Sequence, residues 1–114
     1  MSDFFDSEVI RAEMAEIQEL QEEVYNNVFK FPQMSLEDKK YHIEVLERLL
    51  EMQKVMYTRV SLSDDPEAKK MKDHIHESAK MMGIPSGVDM NILFNNMNSA
   101  LKMMRQHIDK TSST

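Results

Sequence analysis

The chain has 114 residues, a formal net charge of −6, no cysteine and only two glycines. Without cysteine it can form no disulfide, thiolate zinc site or cysteine nucleophile, and two glycines cannot build a Walker loop or a dinucleotide fingerprint. Few glycines and prolines combined with 30% charged residues are typical of an all-α protein with one domain.

Two long helical patterns come first, and only a short proline-containing link separates them. Apolar residues that recur every three to four positions predict helices over about residues 6–31 and 35–60. Pro32 disfavours helical backbone in the residue before it, and Ser35 is a typical cap for the next helix. Two apolar faces joined by so short a link are expected to close as an antiparallel hairpin.

Each of these helices carries an apolar seam that contains one glutamine. The seam of the first helix is Ile10, Met14, Ile17, Gln21, Val24, Val28 and Phe31, and that of the second is Leu36, Lys39, Ile43, Leu46, Leu50, Gln53, Tyr57 and Val60. We expect the seams to face each other, with Ile10 near Tyr57. A further stripe makes the apolar face of the second helix too wide for one partner helix. This stripe is Val45, Leu49, Met52 and Met56.

Two shorter helices are predicted over about residues 66–82 and 89–109, and Gly83 suits the left-handed backbone just past a helix end. They are expected to cover the wide face of the second helix, giving a single domain like a four-helix bundle over residues 1–110. The polar residues 111–114 are predicted to be a disordered tail. Because short helices leave part of a long hairpin uncovered, we expect a homodimer; the alternative is that loops and bent helices cover the strip within a monomer.

The negative charge is concentrated at the start of the chain. Residues 1–23 hold eight acids and one base, a net of −7, whereas the remaining residues hold 12 acids and 13 bases. Such a surface repels phosphate backbones and anionic lipid headgroups and attracts a basic protein partner. We therefore expect no nucleic acid and no membrane as partners. Glu16, Glu19 and Glu23 are candidate contacts for a protein partner, and a solvated helix face is the alternative.

Methionine is unusually frequent, with 12 in the chain. Two adjacent pairs, Met81–Met82 and Met103–Met104, cannot both point into one core seam, so one member of each pair should be exposed. Flexible, polarizable methionine side chains suit adaptable binding surfaces. Met81 and Met103 are therefore further candidate partner contacts, although core filling is the alternative explanation.

Patterns for catalysis or metal binding are scarce. The histidines are His42, His74, His76 and His107, and none belongs to the Glu-x-x-His element of a di-iron bundle. We expect no catalytic residue, no cofactor and no metal site. The alternative is a helical bundle that binds a small molecule or a metal, and that could be an enzyme. It would need a polar pocket around Gln21, Gln53, Tyr57 and a histidine.

The N-terminus is acidic and lacks the basic start and apolar run of a secretory signal. No segment approaches the ~20 apolar residues that span a bilayer. These features predict a soluble protein of the cytoplasm.

Several segments resemble, in combination, those of one protein family. They are Phe4–Ser7 (FFDS), Glu16–Glu22 (EIQELQE), Phe31–Met34 (FPQM), Ser61–Ala68 (SLSDDPEA) and Asp89–Phe94 (DMNILF). Over nearly the whole chain except the polar tail, the sequence is similar to domain of unknown function 1825, a family found mainly in cyanobacteria and the phages that infect them. The resemblance implies such a source and supplies no activity. We expect a non-enzymatic interaction or regulatory protein.

Overall fold

The computed structural model describes residues 4–81, 83 and 89–112. Within these ranges the chain forms helices and no strand, so the predicted all-α fold is confirmed. The elements are α1 (Glu8–Asn27), a 3-10 helix (Val28–Gln33), α2 (Leu36–Leu62), α3 (Pro66–Met81) and α4 (Met90–Ser112).

Each of the four α-helices begins at a side-chain oxygen that accepts a backbone N–H two or three residues further on. Such bonds satisfy donors that have no partner in the first helical turn. The acceptor–donor pairs are Ser7–Ile10, Ser35–Asp38, Asp65–Glu67 and Asp89–Asn91. Beyond α3, Gly83 has a φ of +90°, which confirms the left-handed position predicted for it.

The helix ends differ from the prediction at two places. α1 ends at Asn27, whose side-chain amide donates to the Glu23 carbonyl at 2.8 Å, and the chain continues as a 3-10 helix that includes Pro32. Local side-chain bonding of this kind competes with the α-helical ladder. α4 continues to Ser112, into the predicted disordered tail. The predictions for Met82 and for residues 84–88, 113 and 114 lie outside the described residues.

α2 is the central helix, because α1, α3 and α4 each pack against it while α1 makes no extensive contact with α4. Ion pairs show that both flanking helices run antiparallel to α2. Further along α2 the partners lie earlier on the other helix: Arg48 meets Glu16 and Arg59 meets Glu13 on α1. In the same way Lys40 meets Asp109 and Glu47 meets Arg105 on α4. The extents of 55 × 31 × 20 Å therefore describe an elongated and flat molecule.

The wide apolar face of α2 is shared among its three neighbours. The core clusters are Ile10, Met56, Val60 and Ala68 at one place and Leu50, Ala79, Met90 and Phe94 at another. Ile10 thus packs with Met56 and Val60, whereas Tyr57, its predicted partner, packs with the second cluster. The stripe Val45, Leu49, Met52 and Met56 is buried throughout. Gln21 is exposed and Gln53 is half-buried, so the fold does not seal two glutamines in one seam.

Candidate functional site

The ion pairs between helices define one side of the molecule, which we call the ionic face. Its nitrogen–oxygen distances lie between 3.0 and 3.5 Å. The pairs are Arg48–Glu16 and Arg59–Glu13 between α2 and α1, and Lys40–Asp109, Glu44–Arg105 and Glu47–Arg105 between α2 and α4. These partly exposed pairs fix the register of the helices more than they add stability.

The three acids predicted to contact a partner do not form one free surface. Glu16 Oε1 accepts hydrogen bonds from both Nε and Nη2 of Arg48, at 3.2 and 3.0 Å. The Glu16 carboxylate therefore links α1 to α2. Glu19 is exposed, and Glu23 is half-buried beside the hairpin end. The sequence pattern could not show which of the three acids is ion-paired, because it places acids on a helix and does not identify the residues of other helices beside them.

Three exposed aromatic side chains lie near the closed end of the hairpin. Phe29 is 89% exposed and Tyr25 is 78% exposed, and Tyr41 on α2 is exposed as well. Glu22 lies one turn before Tyr25 on the outward side of α1, and both Glu22 and Glu19 are exposed. We call this set of five residues the tip surface. Sequence analysis missed its aromatic members, although Tyr25 and Phe29 lie outside the apolar seam and could have been recognised by that position.

A hollow of about 320 Å³ lies beside the tip surface, between the end of α1, the 3-10 helix and the start of α2. Its lining includes two carboxylates, Glu23 and Asp38, and one ammonium group, Lys30. The buried His42 forms part of the wall, with its ring centroid 5.4 Å from that of Phe31. The hollow is therefore mixed in polarity, and the exposed ring of Tyr41 forms part of its lining.

The titration of the Tyr41 hydroxyl is coupled to the carboxylate of Glu23, and both side chains line this hollow. Hydrogen bonding to Glu23 and the negative charge of its carboxylate raise the pKa of Tyr41, and desolvation and the charge of Glu44 act in the same direction. The phenolate of Tyr41 consequently forms at a higher pH than that of an isolated tyrosine.

We expect Glu23→Gln to lower the pKa of Tyr41 towards its ordinary value, because the neutral amide no longer disfavours the phenolate. Titration of the tyrosine ring resonances by NMR measures this shift directly. Glu8→Gln, at the exposed start of α1, is the matched control and should leave the Tyr41 titration unchanged. An unaltered Tyr41 curve in Glu23→Gln would contradict the coupling.

The predicted methionine contacts are exposed. Met81 and Met103 both lie on the surface, and Met104, the neighbour of Met103, is also 39% exposed. Both members of the second pair are thus outside the core, where one was expected. Ile92 and Met97 are exposed on the same helix, so α4 presents several large apolar side chains to solvent.

The polar pocket of the alternative interpretation was to be formed by Gln21, Gln53, Tyr57 and a histidine. The Tyr57 hydroxyl lies 3.0 Å from Nε2 of His76 at the surface, and Gln21 is exposed on α1. Among the described residues, no group of three His, Cys, Asp or Glu side chains could hold a metal ion. None of the helices in that part of the chain is long and apolar enough to cross a bilayer.

The fold and its surfaces define an all-α helical protein built on one central helix, with aromatic and apolar side chains left on the outside. The chain belongs to the family described as "Domain of unknown function (DUF1825)", whose model matches residues 2–108. This match confirms the resemblance seen in the sequence. No curated protein and no solved structure matches the chain.

Proposed function

We propose that this protein is a non-enzymatic, cytoplasmic interaction protein of cyanobacterial or cyanophage origin, and that it binds a basic partner protein through the tip surface. The observation that carries this proposal is the exposure of Phe29, at 89%, beside Tyr25 at 78%. Two large aromatic rings on one small surface are costly to leave in water, and aromatic side chains dominate the binding energy of protein interfaces.

The charge around these rings supports a basic partner. Glu19 and Glu22 are exposed on α1 close to Tyr25, and neither has an ion pair within the described residues. The hollow beside them adds the carboxylates of Glu23 and Asp38. A lysine or arginine side chain of the partner can enter this hollow while its apolar neighbours pack on the exposed ring of Tyr41, which forms part of the lining.

The test compares capture of partner proteins from a cyanobacterial lysate by three immobilised forms of the chain. The double variant Tyr25→Ser/Phe29→Ser removes both aromatic anchors and should lower recovery of the specific partner by about tenfold or more. Leu62→Ser, which replaces an exposed apolar residue at the far end of α2, should leave recovery unchanged. Equal recovery by the double variant and the native chain would reject the tip surface as the binding site.

Charge reversal tests the nature of the partner. Glu19→Lys/Glu22→Lys should abolish capture and should not disturb the fold, because both side chains are exposed. Glu16 is left unchanged in this variant, since its replacement would break the pair with Arg48. Circular dichroism checks the helical content. Retained capture by a folded charge-reversal variant would exclude a basic partner at this surface.

A further inference from the structure

The hollow between the end of α1 and the start of α2 has a buried polar side chain in its wall. His42 is only 5% exposed, and its ring packs beside Phe31. Within the part of the chain that the structure describes, the imidazole of His42 forms no hydrogen bond. A neutral imidazole has one donor and one acceptor, and burying such groups without a hydrogen bond is costly. An occupant of the hollow that hydrogen-bonds to His42 would remove this cost.

Charges of both signs line the same hollow. Glu23 and Asp38 contribute carboxylates, and Lys30 contributes an ammonium group. None of these three side chains forms an ion pair with another described residue. Glu23 is hydrogen-bonded to Tyr41, but a carboxylate can accept about four hydrogen bonds, so it has free acceptor positions. The hollow therefore offers two anions and one cation to an occupant.

The unpaired ammonium of Lys30 distinguishes between two kinds of basic occupant. A lysine or arginine from the interior of a partner chain brings one positive charge, which suits the carboxylates but is repelled by Lys30. A lysine or arginine at the C-terminus of a partner chain also brings the negative charge of the terminal carboxylate. Only the terminal residue can therefore pair with both kinds of charge, and capture of a terminal carboxylate is a recurring mode of peptide recognition.

The volume of the hollow suits a chain end as well. At about 320 Å³ it lies near the lower end of the range of about 300–1,000 Å³ that is usual for ligand sites. A space of this size holds one long side chain and its backbone. A terminal residue occupies it with a single chain leading away, whereas an internal residue needs room for the chain on both sides.

We infer that the hollow binds the C-terminal residue of the partner protein, and that this residue is a lysine or an arginine. The inference rests on the proposed function, because it takes the occupant to be part of a protein partner. The basic side chain pairs with Glu23 and Asp38, and the terminal carboxylate pairs with Lys30. His42 hydrogen-bonds to the backbone of the terminal residue.

Binding of short synthetic peptides tests this recognition. The probe carries a dye at its N-terminus, a few apolar residues and a C-terminal arginine with a free carboxylate, and fluorescence anisotropy reports its binding to the native chain. The same peptide with a terminal amide should bind about tenfold more weakly, because Lys30 loses its partner. A peptide with glutamine in place of the arginine should also bind about tenfold more weakly, because Glu23 and Asp38 lose theirs.

Variants of the chain identify the groups that contact the peptide. Lys30→Gln should bind the acid and the amide equally, and the exposure of Lys30 means that the fold is kept. Lys80→Gln is the matched control, since it removes a positive charge from the exposed end of α3 and should keep the preference for the acid. His42→Phe keeps an aromatic ring beside Phe31 and should weaken both peptides. Circular dichroism checks the helical content of each variant.

Free arginine carries the same two charges as a C-terminal arginine and serves as a competitor. We expect the unlabelled peptide to displace the probe at a much lower concentration than free arginine does, because the amino acid lacks the apolar residues that pack on Tyr41. Equal displacement by free arginine would assign the hollow to a small molecule and overturn the inference. Equal binding of acid and amide by the native chain would overturn it too, as would an unchanged preference in Lys30→Gln.

The inference and the proposed function can fail separately. If Tyr25→Ser/Phe29→Ser loses the partner but the native chain does not bind the probe, the tip surface stands and the chain-end inference is wrong. If probe binding depends on Lys30 while the double variant recovers partners as well as the native chain does, the hollow binds chain ends and the tip surface is rejected.

Discussion

Replacing Ile43 by alanine is expected to lower the free energy of unfolding by about 2–4 kcal/mol. Ile43 lies on α2 and has no exposed surface. The substitution removes buried methyl groups and leaves a cavity, because a central helix held by neighbours on several sides cannot move to fill it. Urea denaturation followed by circular dichroism, at one fixed protein concentration, measures the change.

Ile92→Ala is the matched control for this measurement. The same side chain is removed there from the exposed surface of α4. Its effect should stay within about 0.5 kcal/mol, since surface substitutions away from special features change stability little. If Ile43→Ala and Ile92→Ala cost the same, then burial on α2 does not determine the stability of this fold.

Enlarging Ala68 to leucine should destabilise the protein by about 1–3 kcal/mol. Ala68 has no exposed surface and packs with Ile10, Met56 and Val60, at the point where α3 begins. A larger side chain there must push α3 away from α2 or force its neighbours out of their preferred rotamers. Thermal unfolding should show a lower midpoint temperature for the variant.

Ala12→Leu provides the control, because Ala12 is exposed on α1 and leucine forms helices nearly as well as alanine. This variant should unfold at nearly the native temperature. A midpoint for Ala68→Leu equal to that of Ala12→Leu would show that α3 does not pack tightly on α2.

Much of the architecture could be predicted because it depends on local chemistry. The cap at Ser35, the left-handed Gly83 and the all-α class each follow from residue types within a few positions. The width of the apolar face on α2 was also visible, because periodicity reports directly on how far round a helix the apolar residues extend.

The assignment of neighbours could not be predicted in the same way. Periodicity showed that α2 needs several partners, and it did not show that Leu50 faces α4 while Met56 faces α1. The same limit applies to Glu16, whose partner Arg48 lies on another helix. These pairings determine which acids remain available for a partner. The tip surface could therefore be defined only from the three-dimensional arrangement of the helices.

The central position of α2 has a consequence for how the protein opens. Since α1 and α4 are each anchored to α2 and not extensively to one another, either can detach in a local opening without the other. When one outer helix detaches, the other still packs on α2. The most protected backbone amides of α2 are therefore expected to exchange only when the whole molecule unfolds. We therefore expect the outer helices to open as separate units and the hydrogen exchange of α2 to report the stability of the whole molecule.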